Sequence, residues 1–211
     1  MNIAFIGIGQ VGSALAGHLV KQGHTVTIAA RNPQSTSVQS ALARYPDLQV
    51  ADPVDAVAAA EVIFLATPYA ANAEALREAG DFSGKILVDC TNPVGANLSH
   101  GLNSERSGAE VVQSLVPTAK VVKAFTIYGF ENFEDNHYPN PGNLKPAMLI
   151  AGDDSQAKQV VASLCQALGW DPVDTGRLAM SLHLEHMTLL WIQMARVQGR
   201  GAGFVWAMLE K

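Results

Sequence analysis

The chain alternates short apolar runs with stretches whose apolar residues recur about once per helical turn. Asn2 to Gly7 (NIAFIG) is an apolar run closing on glycine; Val11, Leu15 and Leu19 then follow at helical spacing until Gly23. Residues 25–30 (TVTIAA) are rich in β-branched side chains and predict a second strand. A polar helix near 37–44 and a short strand near 48–50 come next. Asp52 stands where it would cap an alanine-rich helix ending near Ala60. Residues 62–66 (VIFLA), 85–89 (KILVD), 121–125 (VVKAF) and 148–151 read as further strands. A helix over 155–168, a strand over 170–174 and a long helix from about Leu178 complete the pattern. Strands apolar on both faces that alternate with helices indicate a parallel sheet covered on both sides.

Two regions stand outside that rhythm. Residues 126–146 have no period and carry Pro139, Pro141, Pro146, Gly129 and Gly142 together with Tyr128, Phe130, Phe133 and Tyr138. A loop this long is functional or disordered in most compact domains, and its rings argue against disorder. They either cap the sheet edge or offer a surface to a second ring-shaped ligand. On the last helix Met180, Leu184, Met187, Trp191 and Met194 form an apolar stripe, suited to a core or a subunit interface. With Phe204, Val205, Trp206 and Leu209 in the terminal segment, that stripe predicts a homodimer through the C-terminal part.

Composition narrows the function. Hydrophobic residues make up 48% and charged residues 16%, enough to bury a large core. The formal charge is −5 with no run of Lys or Arg, which argues against a nucleic-acid or anionic-membrane partner. Cys90 and Cys165 match no metal or CxxC spacing; they could form one disulfide, and the favoured reading is two buried thiols. Met1-Asn2 leads straight into a strand without a targeting segment, and Glu61 and Pro68 interrupt the most apolar region. The expectation is a soluble, cytoplasmic protein that binds neither nucleic acid nor membrane.

The chemistry begins at Gly7-Ile8-Gly9-Gln10-Val11-Gly12, a GxGxxG with a strand before it, an amphipathic helix after it and a second strand within one βαβ length. Gly7 permits the tight turn, Gly9 lets a pyrophosphate approach the backbone, and Gly12 allows close helix–strand packing. The phosphates would sit at the helix N-terminus, where free N–H groups and the macrodipole favour anions. The predicted fold is therefore a Rossmann-type, doubly wound, mainly parallel α/β sheet with a small C-terminal helical segment. Residues 1–128 would bind the dinucleotide, and residues 129–211 would complete the cleft.

The second strand ends Ala29-Ala30-Arg31-Asn32-Pro33, with no carboxylate to hold the ribose of NAD. An arginine there can pair with a 2′-phosphate, so the expected cofactor is NADP(H). Thr67-Pro68 and Asn92-Pro93, each just beyond a strand, add hydrogen-bonding groups to the same crevice. No nucleophile or acid–base constellation stands out. His183 and His186 flank Glu185 without metal-site spacing, leaving catalytic residues unassigned and no metal expected; whether these three reach the crevice stays open. A site poor in titratable groups suits hydride transfer between two redox cofactors, which depends mainly on positioning.

The glycine fingerprint, the Ala30-Arg31-Asn32-Pro33 strand end, Asp89-Cys90-Thr91-Asn92-Pro93 and Val121-Val122-Lys123-Ala124-Phe125 resemble the NADP-dependent oxidoreductases typified by coenzyme F420H2:NADP oxidoreductase. The reductase domain of the STEAP metalloreductases is similar too. The resemblance implies a Rossmann domain holding NADP(H) and a flavin-like ring, F420, FMN or FAD, as the small-molecule redox acceptor. It implies pyrophosphate contacts from Ile8 to Val11, 2′-phosphate contacts from Ala30 and Arg31, and a nicotinamide side near Thr67, Asn92 and Ala124. Thr126 stands where the family commonly has Asn, while Ile8 and Ala30 stand where it often has Thr or Ser. Two other functions fit the same residues: a non-catalytic NADP(H) sensor, and a small-substrate dehydrogenase or imine reductase.

Overall fold

The computed structural model describes residues 1–139 and 144–211, so Pro141 and Gly142 of the proline-rich segment lie outside the described residues. The first half runs β1 (Asn2–Ile6), α1 (Gln10–Lys21), β2 (Thr25–Ala29), α2 (Thr36–Arg44), β3 (Gln49–Ala51), α3 (Pro53–Ala59), β4 (Val62–Leu65), α4 (Asn72–Glu78) and β5 (Ile86–Asp89). The second half runs α5 (Gly108–Leu115), β6 (Lys120–Lys123), α6 (Phe130–Glu134), β7 (Ala147–Gly152), α7 (Ser155–Ala167), β8 (Asp171–Asp174) and α8 (Ser181–Ile192). A π-helical turn, Gln193–Val197, prolongs α8.

The strands form one sheet in the order β3-β2-β1-β4-β5-β6-β7-β8. All neighbours are parallel except β6 and β7. Both faces are covered, and side-chain parity sorts the core. Ile3, Phe5, Phe64 and Val88 pack on one face with Leu15 and Leu19 of α1. Ala4, Ile6, Ile63, Leu65 and Leu87 pack on the other with Leu76 and Val112. This is why the strands read as unbroken apolar runs. Chain order reverses between β1 and β4, the switch point where such sheets bind ligands.

The structure corrects several expectations. The strand over 121–125 stops at Lys123, because Phe125 and Ile127 take left-handed backbone with φ of 51° and 63°. The segment after it is not an open aromatic surface. Tyr128 and Phe133 are buried, Tyr128 stacks on Trp170 with centroids 5.2 Å apart, and Phe133 packs against Phe125 and Trp170. The crossover to antiparallel β7 must pass over the sheet end, and these rings fasten it there.

Helix α5 was absent from the expected elements, although Ser107 and Glu110 form a full capping box at its start. On the stripe, Leu184 and Trp191 are core, while Met180 precedes α8 in a 3₁₀ turn and is exposed. The terminal segment folds back on its own chain. Trp191 Nε1 donates to the Phe204 carbonyl at 3.2 Å, and the Ala147 amide donates to the Trp206 carbonyl at 2.8 Å. Both cysteines are free and buried.

Candidate functional site

The carboxyl ends of β1, β2, β4, β5 and β6 share one edge, and the fingerprint lies at its centre. Gly7 turns the chain out of β1 at φ 94°, and a Cβ there would lie 2.7 Å from the backbone of Ala66. Gly12 packs α1 so closely on this turn that a Cβ would fall 2.3 Å from the Gly7 carbonyl oxygen. Gly9 is different: nothing lies within 4 Å of its Cβ position. It is the N-cap of α1, makes no side-chain cap bond, and no acid occupies the first turn. The leading N–H groups of a twelve-residue helix therefore face open space at their positive end, a fit for a diphosphate. Ile8 is buried beneath the loop, Val11 is partly buried, and Gln10 is exposed.

A cavity of about 200 Å³ opens beside this loop, lined by Gly7, Ala29, Arg31 and Thr67 with Glu74 and Glu78 of α4. Its size and place suit an adenosine. Ala30 is partly buried and donates its N–H to the Ala51 carbonyl. Arg31 is exposed at the cavity mouth, where its guanidinium pairs with Glu78 at 2.8 Å and reaches Glu74 at 3.8 Å. The Asn32 side chain accepts the Gln34 amide at 3.0 Å, shaping the turn after Arg31. A second cavity of about 370 Å³ flanks the loop on the α2 and α6 side, lined by Ile8, Gly9, Gln10 and Ser13 among others.

Beyond β4 and β5 the site residues join a buried polar network. Thr67 Oγ1 donates to Asn72 Oδ1, and Asn72 Nδ2 donates to Thr91 Oγ1. Thr91 donates to Asp89, whose other oxygen is 3.0 Å from Lys123 Nζ. Pro68 opens the 3₁₀ turn Tyr69–Ala71, and Pro93 carries the carbonyl that accepts the Gly101 amide. Asn92 accepts hydrogen bonds from Thr126 and Thr188, and Ala124 is wholly buried.

No acid–base constellation stands out in the sequence, but the fold brings titratable groups together. Lys123 lies between Asp89 and Glu185, 3.2 Å from the latter, all three buried. Glu185 also accepts hydrogen bonds from His100 Nε2 at 2.8 Å and from the backbone N–H groups of Gly108 and Ala109. His100 Nδ1 faces the Leu102 and Ser104 amides, which can only donate, so the proton sits on Nε2. Burial opposes a charged lysine, but the two carboxylates outweigh it and hold the Lys123 pKa above its ordinary value. His183 is exposed; His186 stacks on His100 at 5.3 Å and meets Ser104. The sequence carried one signal for the cluster: KILVD and VVK each place a charge at the end of an apolar strand, and Asp89 and Lys123 are register partners.

Comparison with known proteins decides the family. Residues 2–93 match the model of the family described as "NADP oxidoreductase coenzyme F420-dependent". A solved structure from Arthrobacter sp. FB24, named as a candidate F420-dependent NADP reductase, is 31% identical, with full coverage of both chains and a TM-score of 0.88. The chain belongs to this family. That makes it a member of the NADP-dependent oxidoreductases, with a Rossmann-type fold. Rat (Rattus norvegicus) metalloreductase STEAP3 is 34% identical over 189 residues, which cover 89% of this chain and 36% of that protein. This family member thus spans about a third of the length of its curated STEAP relatives. An Aspergillus terreus reductive aminase solved with NADPH matches at 19% identity and a TM-score of 0.67, covering 94% of this chain and 63% of that one. That likeness concerns the fold. Among the described residues, no helix is long and apolar enough to cross a membrane.

Proposed function

We propose that the enzyme moves a hydride between NADP(H) and a flavin or deazaflavin acceptor, with F420, FMN and FAD as the candidate rings. One observation carries the nucleotide half. The uncapped α1 N-terminus, open above Gly9, shares the carboxyl edge of the sheet with the Arg31 cavity on one side and the polar network at Asn92 on the other. In this reading Gly7 to Gly12 hold the pyrophosphate, Ala30, Arg31 and Asn32 the 2′-phosphate, and Thr67, Pro68, Asn92, Pro93 and Ala124 the nicotinamide side. Residues 1–128 act as the nucleotide-binding unit, and residues 129–211 complete the cleft.

The acceptor half rests on family membership and on the charges nearest the cleft. Asp89, Lys123 and Glu185 are consumed by one another, which suits a transfer governed by positioning. Of the loop aromatics, Tyr128 and Phe133 are core and offer no surface, whereas Phe130 lines the cavity beside Ile8, Gly9 and Gln10. Calorimetric titration with NADPH and NADH, then with F420, FMN and FAD in the presence of NADP, tests both halves. Tight NADPH binding that creates a site for one ring supports the proposal; equal affinity for NADH, or no ring bound, refutes the corresponding half.

One observation favours a small-substrate reductase instead. Tyr69 sits at the end of β4 with its hydroxyl held above its ordinary pKa, by burial first and then by the Glu185 and Asp89 carboxylates. That shift keeps the phenol neutral and makes it a weaker acid, so its part beside the nicotinamide would be to orient a ketone or imine by a donated hydrogen bond. Loss of turnover in Tyr69→Phe with unchanged NADPH affinity would favour that reading.

We also propose a cytoplasmic homodimer, on the exposed Leu190, Val197, Met208 and Leu209 near the C-terminus. A monomeric mass in light scattering at micromolar protein refutes the dimer.

A further inference from the structure

Asn92 lies three residues beyond β5, and its amide is held by hydrogen bonds that begin in the backbone after β6. Phe125 and Ile127 both keep left-handed φ angles, 51° and 63°, although both are buried and Ile127 is β-branched. Residues of this kind stay in that region only where the surroundings over-determine them. Here the Ile127 N–H meets Thr188 Oγ1 at 3.1 Å. An amide N–H can only donate, so the Thr188 oxygen accepts and its own hydrogen points elsewhere.

Thr188 Oγ1 is 3.0 Å from Asn92 Oδ1, nearer than the Leu184 carbonyl at 3.2 Å in its own helix. Thr126 Oγ1 donates to the same Asn92 oxygen at 2.8 Å. The two hydroxyls also lie 3.0 Å from each other, and together they surround Oδ1, the acceptor end of the amide. The amide nitrogen keeps only a long 3.4 Å bond to the Cys90 carbonyl. Thr188 lies 96 residues from Asn92 in sequence and belongs to α8, one turn beyond Glu185, whose buried charges anchor that helix.

We infer that Thr188 and Thr126 are positioning residues that lock the Asn92 amide with its N–H groups towards the cleft, to donate to an oxygen of the nicotinamide half of the nucleotide. The oxygen is that of the carboxamide or the adjoining ribose. This rests on the NADP(H) site proposed above. It makes α8 part of the nucleotide site.

Calorimetric titration with NADPH and with 2′,5′-ADP, which has the 2′-phosphate end but no nicotinamide, tests the inference. Thr188→Val and Asn92→Ala should each weaken NADPH about five- to tenfold, the worth of one hydrogen bond. The double variant should be no weaker than Asn92→Ala alone, and Thr188→Ser should restore binding. All should bind 2′,5′-ADP as the unchanged protein does. Thr126→Val carries the same test if thermal unfolding shows that Thr188→Val does not fold. Equal weakening of both ligands, or unchanged NADPH affinity in the valine variants, overturns the inference. If the unchanged protein binds neither ligand, the proposed function falls, and the inference with it.

Discussion

Glu185 on α8 and Lys123 at the end of β6 meet at 3.2 Å with both side chains out of water. They tie the C-terminal helix to the carboxyl edge of the sheet. Asp89 stands on the other side of the lysine, and Glu185 lies against the N-terminus of α5, where two backbone N–H groups add to its donors. Removing one partner from such a group leaves uncompensated buried charge. Lys123→Met should therefore lower stability by about 3–5 kcal/mol in urea unfolding. Glu185→Gln, which leaves the Lys123–Asp89 pair intact, should cost less. Equal stability of Lys123→Met and the unchanged protein would mean that the cluster does not hold these elements together.

The glycine loop separates folding from binding. Gly12→Ala forces a methyl against the Gly7 carbonyl and should destabilise by about 1–3 kcal/mol, the usual cost of overpacking. Gly9→Ala meets no protein atom. Its melting temperature should match the unchanged protein while NADPH affinity falls, because the added methyl fills the phosphate approach. Intact affinity in Gly9→Ala would place the pyrophosphate elsewhere.

Arg31 faces two competitors for a 2′-phosphate, Glu78 and Glu74. Glu78→Gln removes the nearer carboxylate, so NADPH should bind about two- to fivefold more tightly at low ionic strength, with the gain shrinking as salt rises. NADH affinity should stay unchanged. A gain shared by NADH would point to the adenosine cavity rather than to the phosphate.

Alkaline pH should unfold the protein earlier than its mild charge suggests. Burial raises the thiols of Cys90 and Cys165 above their ordinary value of 9.0, and raises the Tyr128 hydroxyl as well. Lys123 is also raised, there by its carboxylates against the effect of burial. Each group holds its proton more tightly folded than unfolded. Its contribution is complete below the unfolded pKa and is lost as pH rises through the folded one. Stability should fall from about pH 9 upwards, with the thiols first. Cys165→Ala should show a shallower decline; an unchanged slope would exclude that thiol as a cause.

The β1–α1–β2 unit was legible because its determinants are local. A GxGxxG loop, one-turn apolar spacing and a glycine stop lie within a few residues of one another, and so does Arg31 beyond β2. Parity in β4 and β5 likewise left a readable mark, since strands buried on both faces cannot alternate. The capping box at Ser107 and Glu110 was equally local, and Ala109, Val112 and Val116 follow it at helical spacing, so α5 too was legible.

What only the tertiary structure decided joins residues far apart in sequence. His100 and Glu185 are 85 positions apart, Asp89 and Lys123 are 34, and Thr126 and Thr188 are 62. No local pattern links such pairs; the sheet places β5 beside β6, and the fold-back of α8 brings the rest. The same packing overrides the strand preference of Phe125 and Ile127, and turns Tyr128 and Phe133 of the loop into core. Local backbone preference determined the nucleotide-binding unit of this protein, and long-range burial of charge and rings determined the far end of its cleft.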